Sequence, residues 1–559
     1  MALVATVAFV IGAIAGSGGA PAGQDLALRF VTAWARADYP RMYTYVDDAT
    51  KRRLTVSQFS AAYRQAALTA TLSRGRPASA QAPHNGVVPV PVTLTTRVFG
   101  TIVTAFEVPT VGEGSTARVR WSSRLLFPGL RPGEKLTRQT FLAPRAPLLA
   151  RDGSPLAKGP PDSSGQRPSG LGAAGTAITG VLGPPPPGRA DALRAAGVPA
   201  SARVGVNGLE RVFDARLLGS PGGELRAGDR IIASAVPRPG TPVRTTISPR
   251  LQRLALSALG GRLGGVIALR PSSGEILALA GIPLSGLEPP GSTFKMVTLT
   301  AALDAGVAST HSSFPIQTEA VLSGVKLQNA NGESCGGTLA QAFAISCNSV
   351  FAPLGAKLGA RRLVAMARRF GFDEDPGIAG AATSRVPDAS RVGDALAVGS
   401  TAIGQGEVQA TTLQVATVAA TIAMGGQRPR PTLALGERRP SVTVTRPEVA
   451  RTVRAMMLGV VRSGTGKSAA IPGVAVAGKT GTAELKQTVC PSSATSTDSA
   501  SSSACQPNDP TNTDAWFAAF APAGHPRIAV AVLLVKNGAG GDTAAPVARQ
   551  MLVGGLKGA

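Results

Sequence analysis

The run LGGVIALRPSSGEILALAG, residues 263–281, reads as two short apolar strands about a Pro-Ser-Ser-Gly turn. Strand patterns then lapse until VAVAGKTGTAE, DAWFAAFAP and RIAVAVLLV near the C-terminus. Between them lie alanine-rich helical stretches, among them TFKMVTLTAALDAG, LAQAFAISCNSVFAPLGAKLG and TTLQVATVAATIAM, and a last helix, TAAPVARQMLVGG, follows the final strand. Strands at both ends with helices between predict one sheet, closed by the first and last parts of a domain spanning 244–559.

The chain has 559 residues, too many for one core, and about 150 residues per domain gives three or four units. Leu26, Phe30, Trp34 and Ala37 recur at helical spacing, and TVSQFSAAYRQAALTA opens on a Thr/Ser capping signal. The period then changes to two, with Val88, Val90, Val92 and Leu94 on one strand face. Pro89 and Pro91 cannot donate to a ladder, which predicts an edge strand. TIVTAFEV and ARVRWSSRLLF are read as further strands, giving a compact α+β domain over 24–140. Residues 141–243 are looser: GPPDSSGQRPSG and GPPPPG are linkers, and RVGVNGLERVF belongs to a small β-rich patch, read as a connecting pedestal module.

A net charge of +25 is large, but arginine is scattered through every segment and aromatics are only 4%. Nucleic-acid binders concentrate basic residues on one element and interleave stacking rings, so nucleic acid is not the expected partner. An anionic surface, membrane or cell-wall polymer, fits better. Residues 2–24 carry no charge and include ALVATVAFVIGAIAG, so 1–23 is expected to be a membrane anchor or signal segment. Four cysteines fit an oxidising compartment and fall into two pairs, Cys335 with Cys347 and Cys490 with Cys505, both candidate disulfides. The second pair brackets a serine-rich stretch, where a disulfide contributes about 3 kcal/mol by chain entropy. Zinc is disfavoured, since no CxxC spacing exists and the three histidines stand apart.

PPGSTFKMV, residues 289–297, places Ser292 three positions before Lys295. On a helix those positions share a face, so the amine lies near the hydroxyl. A serine needs a base to become a nucleophile, and a lysine serves once burial or a second cation lowers its pKa. Alone, the pattern is common and a capping serine with a surface lysine explains it. ISCNS adds Ser346 and Asn348, and GKTGTAE adds Lys479, Thr480, Gly481 and Thr482 on a strand. Gly481 is expected to let a ligand approach the backbone, and a strand edge offers an N–H to an oxyanion. In that order, within one domain, the three form the serine acyl-transferase set.

With PPGSTFK, SCNS, AIGQGEVQATTLQVA, AGKTGTAE and AWFAAFAP, the chain resembles the class B penicillin-binding proteins, the peptidoglycan D,D-transpeptidases. WSSRLLFPGLRPGEKL and RAPLLARDGSPLA make the 24–140 segment similar to the cone-shaped, nuclear-transport-factor-like domain of low-affinity members of the methicillin-resistance type. The resemblance implies a multidomain α+β chain. Its parts are the cone-shaped domain, a small β-rich pedestal or dimerisation-like linker over 141–243, and a penicilloyl-serine transferase (serine β-lactamase-like) α/β/α sandwich with an antiparallel sheet.

It also implies roles. Ser292 attacks the penultimate D-Ala carbonyl, Lys295 is general base, Ser346 passes a proton to the departing D-Ala, and Asn348 orients Lys295 and the substrate amide. Lys479 supplies positive potential, Thr480, Gly481 and Thr482 bind substrate, and the N–H groups of Ser292 and Thr482 form the oxyanion hole. No metal or organic cofactor is implied. Stem peptides of lipid II-derived glycan strands, β-lactams, the membrane surface and a membrane glycosyltransferase are the implied partners, with the catalytic domain extracytoplasmic on the cell membrane. Gln405, Gly406 and Glu407 are read as structural, the Glu being explained by a helix dipole. A Ser-His-Asp triad is not expected, because His84, His311 and His525 sit in loop-like surroundings. The competing readings are a serine β-lactamase or D,D-carboxypeptidase, which shares the motif set, and a non-catalytic cell-wall scaffold.

Overall fold

A computed structural model describes residues 22–485 and 512–558. The apolar segment up to residue 21 lies outside the described residues. So do Cys490 and Cys505, and with them the bridge expected between the two. Among those residues no helix is long and apolar enough to cross a membrane.

The chain divides into two compact units. Residues through 144, with 184–202 and 218–240, make the first; 145–183, 203–217 and 241 onward make the second. The stretch 141–243 is therefore shared between them.

In the first unit, helix α1 (Ala22–Ala35) buries Ala27, Phe30, Val31 and Trp34, the i, i+3, i+4, i+7 stripe of an amphipathic helix. Helix α2 (Val56–Thr69) starts on a capping box between Thr55 and Gln58. A four-stranded sheet follows in the order β1 (Leu72–Pro77), β2 (Val87–Thr96), β3 (Gly100–Val111), β4 (Arg118–Val119). Strand β2 is internal, not at the edge that its prolines predict. The β1 ladder ends at Pro77↔Val92, and beyond it Pro91 and Pro89 serve as acceptors, for the N–H groups of Ala78 and Gln81. A proline lacks only the donor, so an internal strand keeps it where the neighbour supplies N–H groups. ARVRWSSRLLF also departs from the expected strand: after β4 the chain turns so that the Trp121 ring packs on Phe59 and its Nε1 donates to Tyr63 Oη at 3.0 Å. The unit is completed by a three-stranded sheet of β5 (Leu136–Phe141), β6 (Gly222–Ala227) and β7 (Arg230–Ala235), with β6 central.

Part of the expected β patch is helical in the second unit. Gly208–Val212 is a short helix whose Glu210 is fully buried, accepting from Arg145 Nε at 2.7 Å and Arg167 Nη1 at 3.0 Å. Two arginines on one buried carboxylate staple 145–183 to 203–217, a demand that outweighs the strand-like valines.

The rest of this unit is built around one antiparallel sheet. In chain order its elements are α3 (Pro249–Leu259), β8 (Gly264–Leu269), β9 (Ile276–Gly281), α4 (Lys295–Asp304), α5 (Asn348–Leu358), α6 (Thr412–Ala423), β10 (Ala477–Glu484), β11 (Thr513–Ala521), β12 (Ile528–Leu534) and α7 (Ala545–Leu556). The strand order is β9-β8-β12-β11-β10, so early and late strands do meet. Val266, Ala268, Val530 and Val532 face Leu251 and Ala255 of α3 and Met551 and Leu552 of α7. Ile267, Leu269, Ala531 and Leu533 face the other way, toward Leu413 and Ala416 of α6 and Val297 of α4. The continuous apolar runs of these strands follow from burial on both faces. Strand β10, with Lys479, is an edge strand, paired on one side only by β11.

Candidate active site

Ser292 lies in a 3₁₀ turn, Gly291–Phe294, which runs directly into α4 at Lys295. In a 3₁₀ turn side chains at i and i+3 eclipse, so Ser292 and Lys295 project from one face. Within residues 290–302 every other side chain is buried, whereas Ser292 reaches solvent. Backbone contacts fix the turn: Gly291 N donates to Gly404 O at 3.0 Å, and Thr293 Oγ1 to Pro290 O at 2.7 Å. Gly404 thus buttresses the turn, whereas Glu407 lies in a turn between the helix ending at Ala402 and α6, not in the first turn of a helix as expected, so a helix dipole does not account for it.

The long helix expected through LAQAFAISCNSVFAPLGAKLG is broken. One helix ends at Ala344, and α5 starts at Asn348. Ser346, in the break, has φ +65°, a left-handed backbone that serine rarely adopts and that tertiary contacts must hold. Cys347 is joined to Cys335 by a disulfide, one of the two expected bridges.

The break brings four of the named groups together. Lys295 Nζ donates to Ser346 O at 2.6 Å and Asn348 Oδ1 at 2.7 Å, and lies 3.3 Å from Ser346 Oγ. Lys479 Nζ donates to Ser346 Oγ at 2.8 Å and Thr480 O at 3.0 Å. Among the described residues no hydrogen bond joins Ser292 Oγ to Lys295 Nζ, so the expected proximity takes the form of a shared face, without a direct bond. Asn348 Nδ2 donates to Gln328 O at 3.0 Å, which turns the amide oxygen toward Lys295.

Both lysines are fully buried, and among the described residues no carboxylate bonds to either. Burial, and secondarily the charge of Lys479, holds the Lys295 amine well below its ordinary range. Burial alone brings Lys479 down to about 7. Aromatic faces give the cations partial relief, Phe351 for Lys295 and Phe343 for Lys479, with ring centres 5.7 and 5.5 Å away. Burial and the Lys479 charge both favour the neutral form of Lys295, an amine with a usable lone pair.

Gly481 is needed for a different reason from the one its motif suggests. A Cβ there would come within 2.9 Å of Pro290 O, Thr293 Cγ2 and Trp516 Cβ. The Ser292 turn and Trp516, not a ligand, occupy that space. The same contact brings Gly291 against the Thr482 carbonyl, setting the backbones of the Ser292 turn and the β10 edge side by side. Thr482 is half-buried and its Oγ1 accepts from Gly540 N at 3.4 Å. Thr480 is buried, its hydroxyl 2.6 Å from that of Thr465. Thr465, in Ser-Gly-Thr-Gly between a helix and β10, is a site residue that sequence reasoning missed; its signal is only a threonine among glycines.

The penicillin binding protein transpeptidase domain matches residues 264–553, and the NTF2-like N-terminal transpeptidase domain matches 22–134. The chain belongs to the penicillin-binding protein transpeptidase family. More finely, it is a class B member with an NTF2-like N-terminal domain. Among its transpeptidase relatives, peptidoglycan D,D-transpeptidase PbpA of Mycobacterium tuberculosis is 35% identical over 431 residues, covering 64% of this chain and 81% of that protein. The crystal structure of PBPA from the same organism aligns with a TM-score of 0.57 at 30% identity, over 74% of this chain and 99% of that one. Its penicillin G acyl-enzyme complex aligns equally well, with a TM-score of 0.57, 30% identity and the same coverage of both chains.

Proposed function

We infer that this protein is a serine-type peptidoglycan D,D-transpeptidase that also binds β-lactams covalently. The observation that carries the reading is the state of Lys295: buried, beside a second buried amine, with Ser346 O and Asn348 Oδ1 as its closest acceptors. A neutral amine has two hydrogens and one lone pair. With both hydrogens so engaged, the lone pair is left to accept a proton from Ser292 Oγ, whose face it shares.

In the proposed first step Ser292 Oγ bonds to the carbonyl carbon of the penultimate D-Ala while its proton passes to Lys295. The tetrahedral oxyanion is held by N–H groups of Ser292 and Thr482, donors worth on the order of 3 kcal/mol each in such sites. The carbon–nitrogen bond then breaks, and the leaving D-Ala amine takes a proton through Ser346, which touches both lysines. An amine of a second stem peptide attacks the ester, giving up its proton as the Ser292 alcohol regains one. Thr480, with Thr465 behind it, and Thr482 hold the substrate's terminal carboxylate, and protonated Lys479 adds positive potential.

Three finer readings go with this one. The 141–243 stretch, divided between the two units, acts as a connecting segment in sequence from the N-terminal domain over 24–140 to the transpeptidase domain. The chain is of the low-affinity, methicillin-resistance type, an inference from its N-terminal domain. Residues 1–23 serve as a membrane anchor or signal segment, with the catalytic domain extracytoplasmic at the cell membrane beside a glycosyltransferase partner. Intact-protein mass spectrometry after exposure to penicillin G tests the central reading. One adduct is expected, mapped to Ser292 and absent in Ser292→Ala; an unmodified wild-type protein would overturn it. The same peptide map, run without reduction, tests the proposed bridge from Cys490 to Cys505, which is expected to appear as one cross-linked pair.

A further inference from the structure

The first turn of α5 carries Asn348, yet its own N-cap residue does not cap it. Cys347 makes no side-chain hydrogen bond to the helix, and its sulfur is in the disulfide. Helix starts leave N–H groups without partners, and an oxygen acceptor must come from somewhere. Here it comes from another segment: Asn329 Oδ1 accepts from Ser349 N at 2.8 Å.

Asn329 is 5% exposed and its amide is fully used. Its Nδ2 lies 2.8 Å from Gln317 O, 2.9 Å from Glu333 O and 3.0 Å from Ser349 Oγ, and its backbone N donates to Thr318 O at 2.8 Å. The residue thus ties two stretches of chain, 317–318 and Glu333, to the start of α5. Its neighbour Gln328 supplies the carbonyl that receives Asn348 Nδ2, and its partner Ser349 is the residue after Asn348. An amide side chain flips readily unless both of its ends are specified. One end of Asn348 is specified by Lys295, the other by a carbonyl whose position Asn329 sets.

We propose that Asn329 is a positioning residue for acyl transfer: it caps α5 from outside and fixes the Gln328 carbonyl, and so holds Asn348 Oδ1 on the Lys295 amine. Asn329 itself touches no substrate and acts through Asn348. The inference rests on the transpeptidase reading given above.

The test is the rate constant for acylation by a fluorescent penicillin, normalised to the fraction of molecules finally labelled, across pH. Asn329→Ala is expected to lower that constant about tenfold, the scale of one misdirected hydrogen bond. Loss of an acceptor from Lys295 removes support for its ammonium form, so the acidic limb of the profile is expected to move to lower pH. In combination with Asn348→Ala, the Asn329→Ala change is expected to add almost nothing, because the two act in series. Asn329→Asp keeps the acceptor for Ser349 N and is expected to fall between wild type and alanine.

A merely structural role gives a different result: fewer labelled molecules, with unchanged rate constant and pH profile in those that remain. That outcome, multiplicative effects in the double variant, or failure of both Asn329 variants to fold by circular dichroism would overturn the proposal. If wild type itself took no label, the transpeptidase reading would fail instead.

Discussion

Ser346 Oγ lies 2.8 Å from Lys479 Nζ, on a residue whose backbone is left-handed at φ +65°. Such a conformation costs of order 1–3 kcal/mol and persists only where the surroundings impose it. Here the strain places one hydroxyl within reach of two buried amines. The proposed proton path runs through it.

The amines give the pH dependence a sign. Lys295 must be neutral to act as base, so acylation rises as pH climbs through its lowered pKa. Lys479 must be charged to attract a carboxylate, so acylation falls as pH passes about 7. The expected profile of the second-order acylation constant is bell-shaped, with the free protein's groups setting both limbs. Lys479→Arg keeps its charge at all accessible pH and should push the descending limb upward, even if the rate is lower. An identical descending limb in both proteins would show that another group titrates there.

Gly481→Ala should separate the strand from the nucleophile turn. Its methyl would sit 2.9 Å from Pro290 O, so the backbone must move. A shift of about 1 Å at a reacting centre costs roughly a hundredfold. Stopped-flow acylation by a chromogenic cephalosporin checks this, with a melting curve to show that the fold survives. Acylation at the wild-type rate would mean that the contact is dispensable.

Thr465→Val removes the hydroxyl beside Thr480 while preserving shape. The Thr480 hydroxyl loses its partner at 2.6 Å, and carboxylate binding should weaken about tenfold, on the scale of one hydrogen bond. The loss should appear in the apparent affinity for a penicillin more than in the limiting rate. A pure rate effect would place Thr465 in the chemistry itself.

Glu210→Ala leaves Arg145 and Arg167 buried without their shared carboxylate. Breaking a buried pair costs about 3–5 kcal/mol, and this change should lower the thermal transition of the second unit by several degrees. Differential scanning calorimetry reads it directly. A drop of less than a degree would show that water replaces the carboxylate.

Much of this fold is legible in the sequence because burial writes itself as pattern. The two-sided strands Gly264–Leu269 and Ile528–Leu534 read as unbroken apolar runs, and the stripe Ala27, Phe30, Val31, Trp34 reads as a helix. The three motifs name the site's members, since each pairs a reactive group with a small or polar neighbour. Its geometry is less legible. Nothing in ISCNS announces a helix break, because alanine-rich flanks favour continuation and the left-handed Ser346 is imposed by tertiary contacts. Pro89 and Pro91 mislead for a similar reason: their tolerance inside a sheet depends on which neighbour donates. Asn329 and Thr465 look like ordinary loop residues, since a cap or hydroxyl pair formed between distant segments leaves no local spacing to read.

The strand order β9-β8-β12-β11-β10 has a consequence for biogenesis. The strand that bears Lys479 joins the early strands only by way of Thr513–Ala521 and Ile528–Leu534, the last two strands of the domain to be synthesised. A nascent chain halted between Ser292 and Thr513 carries the proposed nucleophile without the strands that link the Lys479 strand to the early ones. On this strand order the candidate site is expected to assemble only once nearly all of the domain has been made.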